Sequence, residues 1–165
     1  PEVTPVGIFV NLASPELVVE ILSATGVEIA QLHGDEGVDY CGAVGFTRVI
    51  KAFRAGPEFD LEVALKHPAA AVLLDAWAKD LFGGTGKTVD WDLAAAIAAR
   101  RQMFLAGGLG PGNIELAVTR VFPYAVDLNS GVETSPGVKS RSLLLETSEL
   151  IAGIDADKND QKKLD

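Results

Sequence analysis

Residues 72–91, VLLDAWAKDLFGGTGKTVDW, decide how the chain is read. A short apolar run closes on one carboxylate, Asp75. A glycine-rich stretch follows, and a helical pattern resumes near Trp91. An acid at the end of a buried strand, beside a glycine-hinged loop, is how a barrel enzyme presents a reactive group. The loop holds GGTGKT, which suggests a nucleotide-phosphate loop. That motif needs a glycine five positions before the glycine of the Gly-Lys pair, and Leu81 stands there, so the reading fails. Gly83 and Gly84 are instead expected to hinge a loop that covers substrate.

Outward from this stretch, strand and helix patterns alternate. Strand-like runs are predicted at 6–11, 29–33, 48–54, 71–76, 103–106 and 125–129. Helices are predicted at 16–25, 36–44, 59–66, 93–101, 114–120 and 140–151. Ser14-Pro15 reads as the start of the first helix and Gly26 as its stop. The six strands are continuous apolar runs, the pattern of a parallel sheet buried on both faces. A doubly wound open sheet and part of a (β/α)8 barrel both satisfy it. Residues 1–154 form one domain in this reading, and the polar 155–165, DADKNDQKKLD, are expected to fray.

The chain has 165 residues, is 48% hydrophobic and 22% charged, and carries a net charge of −9. That sign disfavours nucleic acid or an anionic membrane as partner. It leaves room for an anionic small molecule held by backbone amides. The single cysteine, Cys41, falls inside a helical pattern and reads as a buried, inert thiol. With no internal disulfide possible and no signal-peptide pattern, a cytoplasmic location is expected. His67, before Pro68, reads as a solvated helix-end residue.

Candidate functional residues gather at strand C-termini: Asn11, His33, Arg54, Asp75, Gly107-Gly108, and Asp127 through Ser130-Gly131. Glycines after two consecutive strands let backbone amides approach an anion, and a serine hydroxyl adds a donor. In a barrel, phosphate sites use the loops after the last two strands with a short extra helix. The segment 134–137 could serve in that framework. Asp75, packed among apolar neighbours, suits a general acid.

Taken together, VGIFVN, AQLHGDE, VIKAFR, LLDAW, GGTGKTVDW, LAGGLGPGNI and VDLNSGVETSPGVKS resemble phosphoribosylanthranilate isomerase, in order, from about residue 6 to 150. The resemblance implies a (β/α)8 TIM barrel of tryptophan biosynthesis. Its reaction is an Amadori rearrangement of N-(5-phosphoribosyl)anthranilate to the 1-deoxyribulose 5-phosphate isomer, with no metal or organic cofactor. It makes Asp75 the general acid that protonates the furanose oxygen. Gly107, Gly108, Ser130 and Gly131 become phosphate-binding turns, and Asp127 a carboxylate near the substrate amine. Gly83 and Gly84 stand with the substrate contacts, and His33 and Arg54 face the site.

Two family features have no counterpart. The general-base cysteine belongs to a Lys-Ile-Cys-Gly-like motif on the first barrel strand, which Cys41 does not match. The arginine for the anthranilate carboxylate, after the second strand, is also wanting. Six units where the family has eight imply that the first two are absent, roughly 40–60 residues at barrel spacing. Strands 6–11 and 125–129 are then expected as open edges. Other phosphate-binding barrels fit less well. An indole-glycerol-phosphate synthase would want lysines at strand ends, and Lys51 lies inside its run; an epimerase would want more than two histidines. A non-catalytic barrel fragment serving in assembly is the alternative from another class.

Overall fold

The computed structural model describes residues 3–75 and 91–161. Six parallel strands form one sheet in chain order: β1 (Val6–Phe9), β2 (Ile29–Leu32), β3 (Val49–Arg54), β4 (Ala71–Asp75), β5 (Met103–Ala106) and β6 (Ala125–Val126). Each is followed by a helix: α1 (Pro15–Thr25), α2 (Val38–Val44), α3 (Leu61–Lys66), α4 (Trp91–Ala98), α5 (Ile114–Val121) and α6 (Arg141–Gln161). Between β6 and α6 lie a 3-10 turn, Ser130–Val132, and an antiparallel hairpin of β7 (Glu133–Ser135) and β8 (Val138–Lys139). Strictly sequential parallel order, with a helix in each crossover, makes this an α/β half-barrel rather than a doubly wound sheet, whose order would reverse.

Local chemistry explains most boundaries. Pro15 sits in the first turn of α1, and Gly26 stops that helix at φ 72°. Ser14 occupies the N-cap without a side-chain bond to the helix backbone. Asp60 caps α3, its carboxylate accepting from the amides of Glu62 and Val63. Several boundaries differ from expectation. β6 is two residues long, although Asp127 N–H still donates to Leu105 O at 2.8 Å. α6 continues to Gln161 where fraying was expected past residue 154, because residues 154–161 hold neither proline nor glycine to stop it. The segment 134–137, a turn by sequence, closes a tight hairpin with Gly137 at φ 80°.

Alternation along the strands sorts the side chains into two layers. Val72, Leu74, Met103 and Leu105 pack outward with Ile97, Ile114 and Ala117 from α4 and α5. Ala30, Leu32 and Val49 pack with Val18 and Leu22 of α1 and Cys41 and Val44 of α2. The inner face holds Ile50, Ala52, Ala71, Leu73 and Ala106. Burying each large aliphatic contributes about 1.5–3 kcal/mol, so both layers stabilise the sheet substantially.

Burial on both faces fails at the edges of the sheet. On β1, Val6 and Ile8 are 41% and 63% exposed, while Phe9, of opposite parity, is buried. β1 and β6 are the two ends of the strand order. The inner face at β1 therefore has nothing packed on it among the described residues. No described helix is long and apolar enough to cross a membrane.

Candidate active site

The same parity that builds the inner core aims functional groups at its C-terminal end. Gln31 and His33 share a face with Ile29; Arg54 shares one with Ile50 and Ala52; Asp75 with Ala71 and Leu73; Asp127 alternates with outward-packed Val126. Arg54 registers with Asp75, and Asp75 with Ala106, immediately before Gly107. His33, Arg54, Asp75, Gly107 and Asp127 thus meet at one rim. Gly83 and Gly84 lie outside the described residues.

Asp75 ends β4 with its side chain 24% exposed, open to a ligand yet shielded by the sheet. His33 Nε2 stands 3.7 Å from Asp75 Oδ2, within ion-pair reach and too long for a direct hydrogen bond. On the other side of the ring, Gln31 Nε2 lies 3.0 Å from Nδ1. An amide N–H donating there requires a bare Nδ1 and puts the ring proton on Nε2, facing the carboxylate. Arg54 is exposed at the rim. Phe53, Arg54 and Phe59 line a surface cleft of about 560 Å³ that also holds Glu58 and Asp60. Those two carboxylates make the cleft itself a poor anion site.

The glycine turns are pressed together, backbone on backbone. Gly107 and Gly108 have φ 105° and 62°. A Cβ on Gly131 would collide with the carbonyls of Leu109 and Gly108, and one on Gly110 with the carbonyl of Gly131. The turn after β5 and the turn after β6 can therefore touch only because side chains are missing. Asn113 holds the first turn: its Oδ1 accepts from Gly110 N–H at 3.0 Å, and its Nδ2 donates to Gly108 O at 3.2 Å. Lys139 holds the second, donating to Asn129 O and Oδ1 and to Glu133 Oε1 at 2.6–2.9 Å. That bond, with one from Gly137 N–H, keeps the Glu133 carboxyl below its ordinary range.

A buried charge pair lies behind the first three strand ends. Lys51 Nζ donates to Leu32 O (3.2 Å), Gly34 O (2.6 Å) and Glu36 Oε2 (2.9 Å). The Glu36 carboxylate also accepts from Asn11 N–H (2.7 Å) and Gly34 N–H (2.9 Å). Both side chains are almost wholly buried, at 5% and 2% exposure. Burial pushes the Glu36 carboxyl up, but the Asn11 amide and Lys51 outweigh it and hold it below the usual range. Asn11, at φ 50°, folds back so that its Oδ1 accepts from Asp35 N–H.

Sequence reasoning missed Gln31, Glu36, Lys51, Asn113 and Lys139. Glu36 had been read as the first helical residue, but α2 begins at Val38. The available signal was polarity inside apolar runs: Gln31 in IAQL and Lys51 in VIKAFR. Since Lys51 points toward the helix layer with every proton engaged, it is no strand-end lysine of the synthase kind.

His67 also differs from expectation. It is buried, its Nδ1 accepting from Ala69 N–H at 3.2 Å and its ring set edge-on to Phe53. Arg101 draws this corner inward by donating to the carbonyls of Ala64, Leu65, His67 and Ala69. Burial, then the Arg101 charge, pushes the His67 pKa down. Cys41 is fully buried, and burial pushes its thiol up, as an inert thiol should behave. Among the described residues, no group of three or more His, Cys, Asp or Glu could hold a metal ion.

A parallel β/α half-barrel with its polar groups at the strand C-termini is a protein of the TIM-barrel class. A family model described as N-(5'phosphoribosyl)anthranilate (PRA) isomerase matches residues 1–149, and the chain belongs to that family. It is 45% identical over 140 residues to N-(5'-phosphoribosyl)anthranilate isomerase of Pelobacter propionicus, covering 84% of this chain and 66% of that one. The chain thus spans just under two thirds of that relative's length. The crystal structure of phosphoribosyl anthranilate isomerase from Thermus thermophilus matches with a TM-score of 0.77 and 38% identity. That match covers 93% of this chain and 74% of the other. A phosphoribosyl anthranilate isomerase in complex with reduced 1-(o-carboxyphenylamino)-1-deoxyribulose 5-phosphate matches at 0.76 and 35%, covering 93% and 73%.

Proposed function

We propose that these six β/α units are the last six of a closed (β/α)8 barrel, and that the complete barrel is a cytoplasmic phosphoribosylanthranilate isomerase of tryptophan biosynthesis. The exposed inner face of β1 supports closure, because Val6 and Ile8 sit where further strands would cover them. The observation that carries the activity is a juxtaposition. The Asp75 carboxylate ends a strand registered with the one that runs into Gly107-Gly108, and the Ser130-Gly131 turn is packed against that same loop. One sugar phosphate can lie across both. One matched phosphoribosyl anthranilate isomerase is in complex with reduced 1-(o-carboxyphenylamino)-1-deoxyribulose 5-phosphate, a ligand of the chemistry this rim suits.

In this reading the amides of Gly107, Gly108 and Gly131 and the Ser130 hydroxyl bind the phosphate. Asp75 gives its proton to the furanose ring oxygen, and the C1′–O bond breaks to leave a Schiff base. A base then takes the C2′ proton, and the enolamine tautomerises to the amino-ketone. Asp127 lies toward the substrate amine, with His33 and Arg54 flanking Asp75. The base and the arginine for the anthranilate carboxylate come from the first two units, so the 165-residue chain alone has negligible turnover.

Asp75→Asn in the eight-unit protein tests the assignment. General-acid loss should lower kcat by about 10²–10⁴-fold, with KM and competition by inorganic phosphate little changed. Unchanged turnover removes Asp75 from the role, and turnover by the 165-residue chain near that of the whole barrel overturns the eight-unit reading.

A further inference from the structure

We propose that Lys51 and Glu36 are positioning residues: a buried ionic clamp that holds His33 in the orientation and tautomer that face Asp75. The proposal rests on the isomerase reading above for its consequence in turnover, but its geometry stands apart from it.

The carbonyls that accept from Lys51, those of Leu32 and Gly34, belong to the two residues on either side of His33. The His33 amide itself donates to Phe9 O at 2.8 Å. The backbone at this one residue is therefore held from three sides. Lys51 reaches it from the opposite face of the sheet, so the clamp constrains the residue without entering the mouth. Glu36 completes it. Its carboxylate compensates the Lys51 charge and ties the Gly34 and Asn11 amides, so the loops after β1 and β2 move as one with β3.

Nothing in the hydrophobic layer requires this arrangement. The pair lies beside a packed apolar cluster of Leu32, Val44 and Val49. Apolar residues of similar volume often replace a buried ion pair with no loss of stability. What apolar side chains could not do is bind two carbonyls at fixed points around His33. With the backbone held, Gln31 can reach Nδ1 at 3.0 Å, and Nε2–H is left pointing at Asp75 Oδ2. A rotated or tautomerised ring would present a bare nitrogen to the carboxylate. Such a ring would disfavour the geometry in which Asp75 delivers and recovers its proton.

The test is the double variant Lys51→Met/Glu36→Leu in the eight-unit protein, which leaves neither charge buried alone. Two readouts separate positioning from general support. Steady-state kinetics should show kcat lowered roughly 10–100-fold with KM changed little, the signature of a misplaced group rather than a lost contact. Imidazole nitrogen NMR reads the tautomer directly. Assigned by a His33→Gln variant, the His33 ring should be a single Nε2–H tautomer in the parent and a tautomer mixture in the double variant. A folded double variant with parent-like kcat and the same single tautomer overturns the proposal. If the double variant does not fold, Lys51→Arg carries the same readouts, since its planar fork keeps the charge but cannot reach all three acceptors. A parent barrel with no isomerase turnover would remove the isomerase reading alone, and the nitrogen spectrum would still decide the clamp.

Discussion

On the β1–β3 side of the rim, position is set by charge. Lys51 and Glu36 are buried together and spend every hydrogen bond on the loops beside His33. On the β5–β6 side, position is set by the lack of side chains. Gly110 and Gly131 let two turns touch through their backbones, and Asn113 and Lys139 hold them from outside. The difference follows the task proposed for each side. An imidazole and a carboxylate must be aimed, which calls for fixed directional bonds. A phosphate is met by several amides at once, which calls for bare backbone near the ligand.

The comparison breaks hardest at the buried pair. Lys51→Met alone leaves Glu36 charged and without its partner, and should cost about 3–5 kcal/mol. Adding Glu36→Leu should recover most of that. Urea unfolding of the three variants measures it, and equal losses in single and double would show that packing, not charge, holds this side. On the glycine side, Gly131→Ala forces two carbonyls to move and should cost about 1–3 kcal/mol, with weaker competition by inorganic phosphate. Gly108→Ala meets open space but must adopt φ 62°, so a loss of about 1–2 kcal/mol is expected. If Gly108→Ala proves the costlier of the two, the close approach of the turns is not what the glycines serve.

A pH titration separates the corner at His67 from both sides. Its folded pKa is lowered, so the unfolded chain binds the proton more readily. Its contribution is complete above the unfolded value of about 6.5 and is lost as pH falls through the lowered folded value. Glu36, also lowered, begins to lose its contribution at more acid pH, as the unfolded chain takes up its proton in the ordinary carboxylate range, and the loss runs down through the lowered folded value. Stability measured by urea from pH 7.5 downward should therefore decline first through His67, and His67→Gln should flatten that first decline. Smallest is Lys139→Ala: the side chain is 41% exposed, so about 0–1 kcal/mol is expected, with the difference shrinking in high salt.

Much of this was readable along the chain. Apolar runs, glycine stops and the Ser14-Pro15 start told six strand–helix units apart, because those signals act within a few residues. Placing Asp75, Gly107-Gly108 and Asp127 at strand ends needed only strand boundaries. His67 was misread because its burial comes from Arg101, 34 residues away. Glu36 was assigned to a helix because its partner Lys51 lies on the next strand, 15 residues on. The segment 132–139 is a turn by sequence, and it closes as a hairpin because Lys139 reaches back to Asn129.

By itself, then, the order of residues determined the α/β class, the parallel sheet, the family, and which residues stand at the rim, since local periodicity and short motifs carry all four. Only the tertiary structure decided which of those residues meet. It put Gln31 behind His33, drew Lys51 to the far face of the sheet, and pressed the two glycine turns into contact. These are pairings across strands, where register and side-chain direction, and not sequence distance, set which groups lie within reach of a bond.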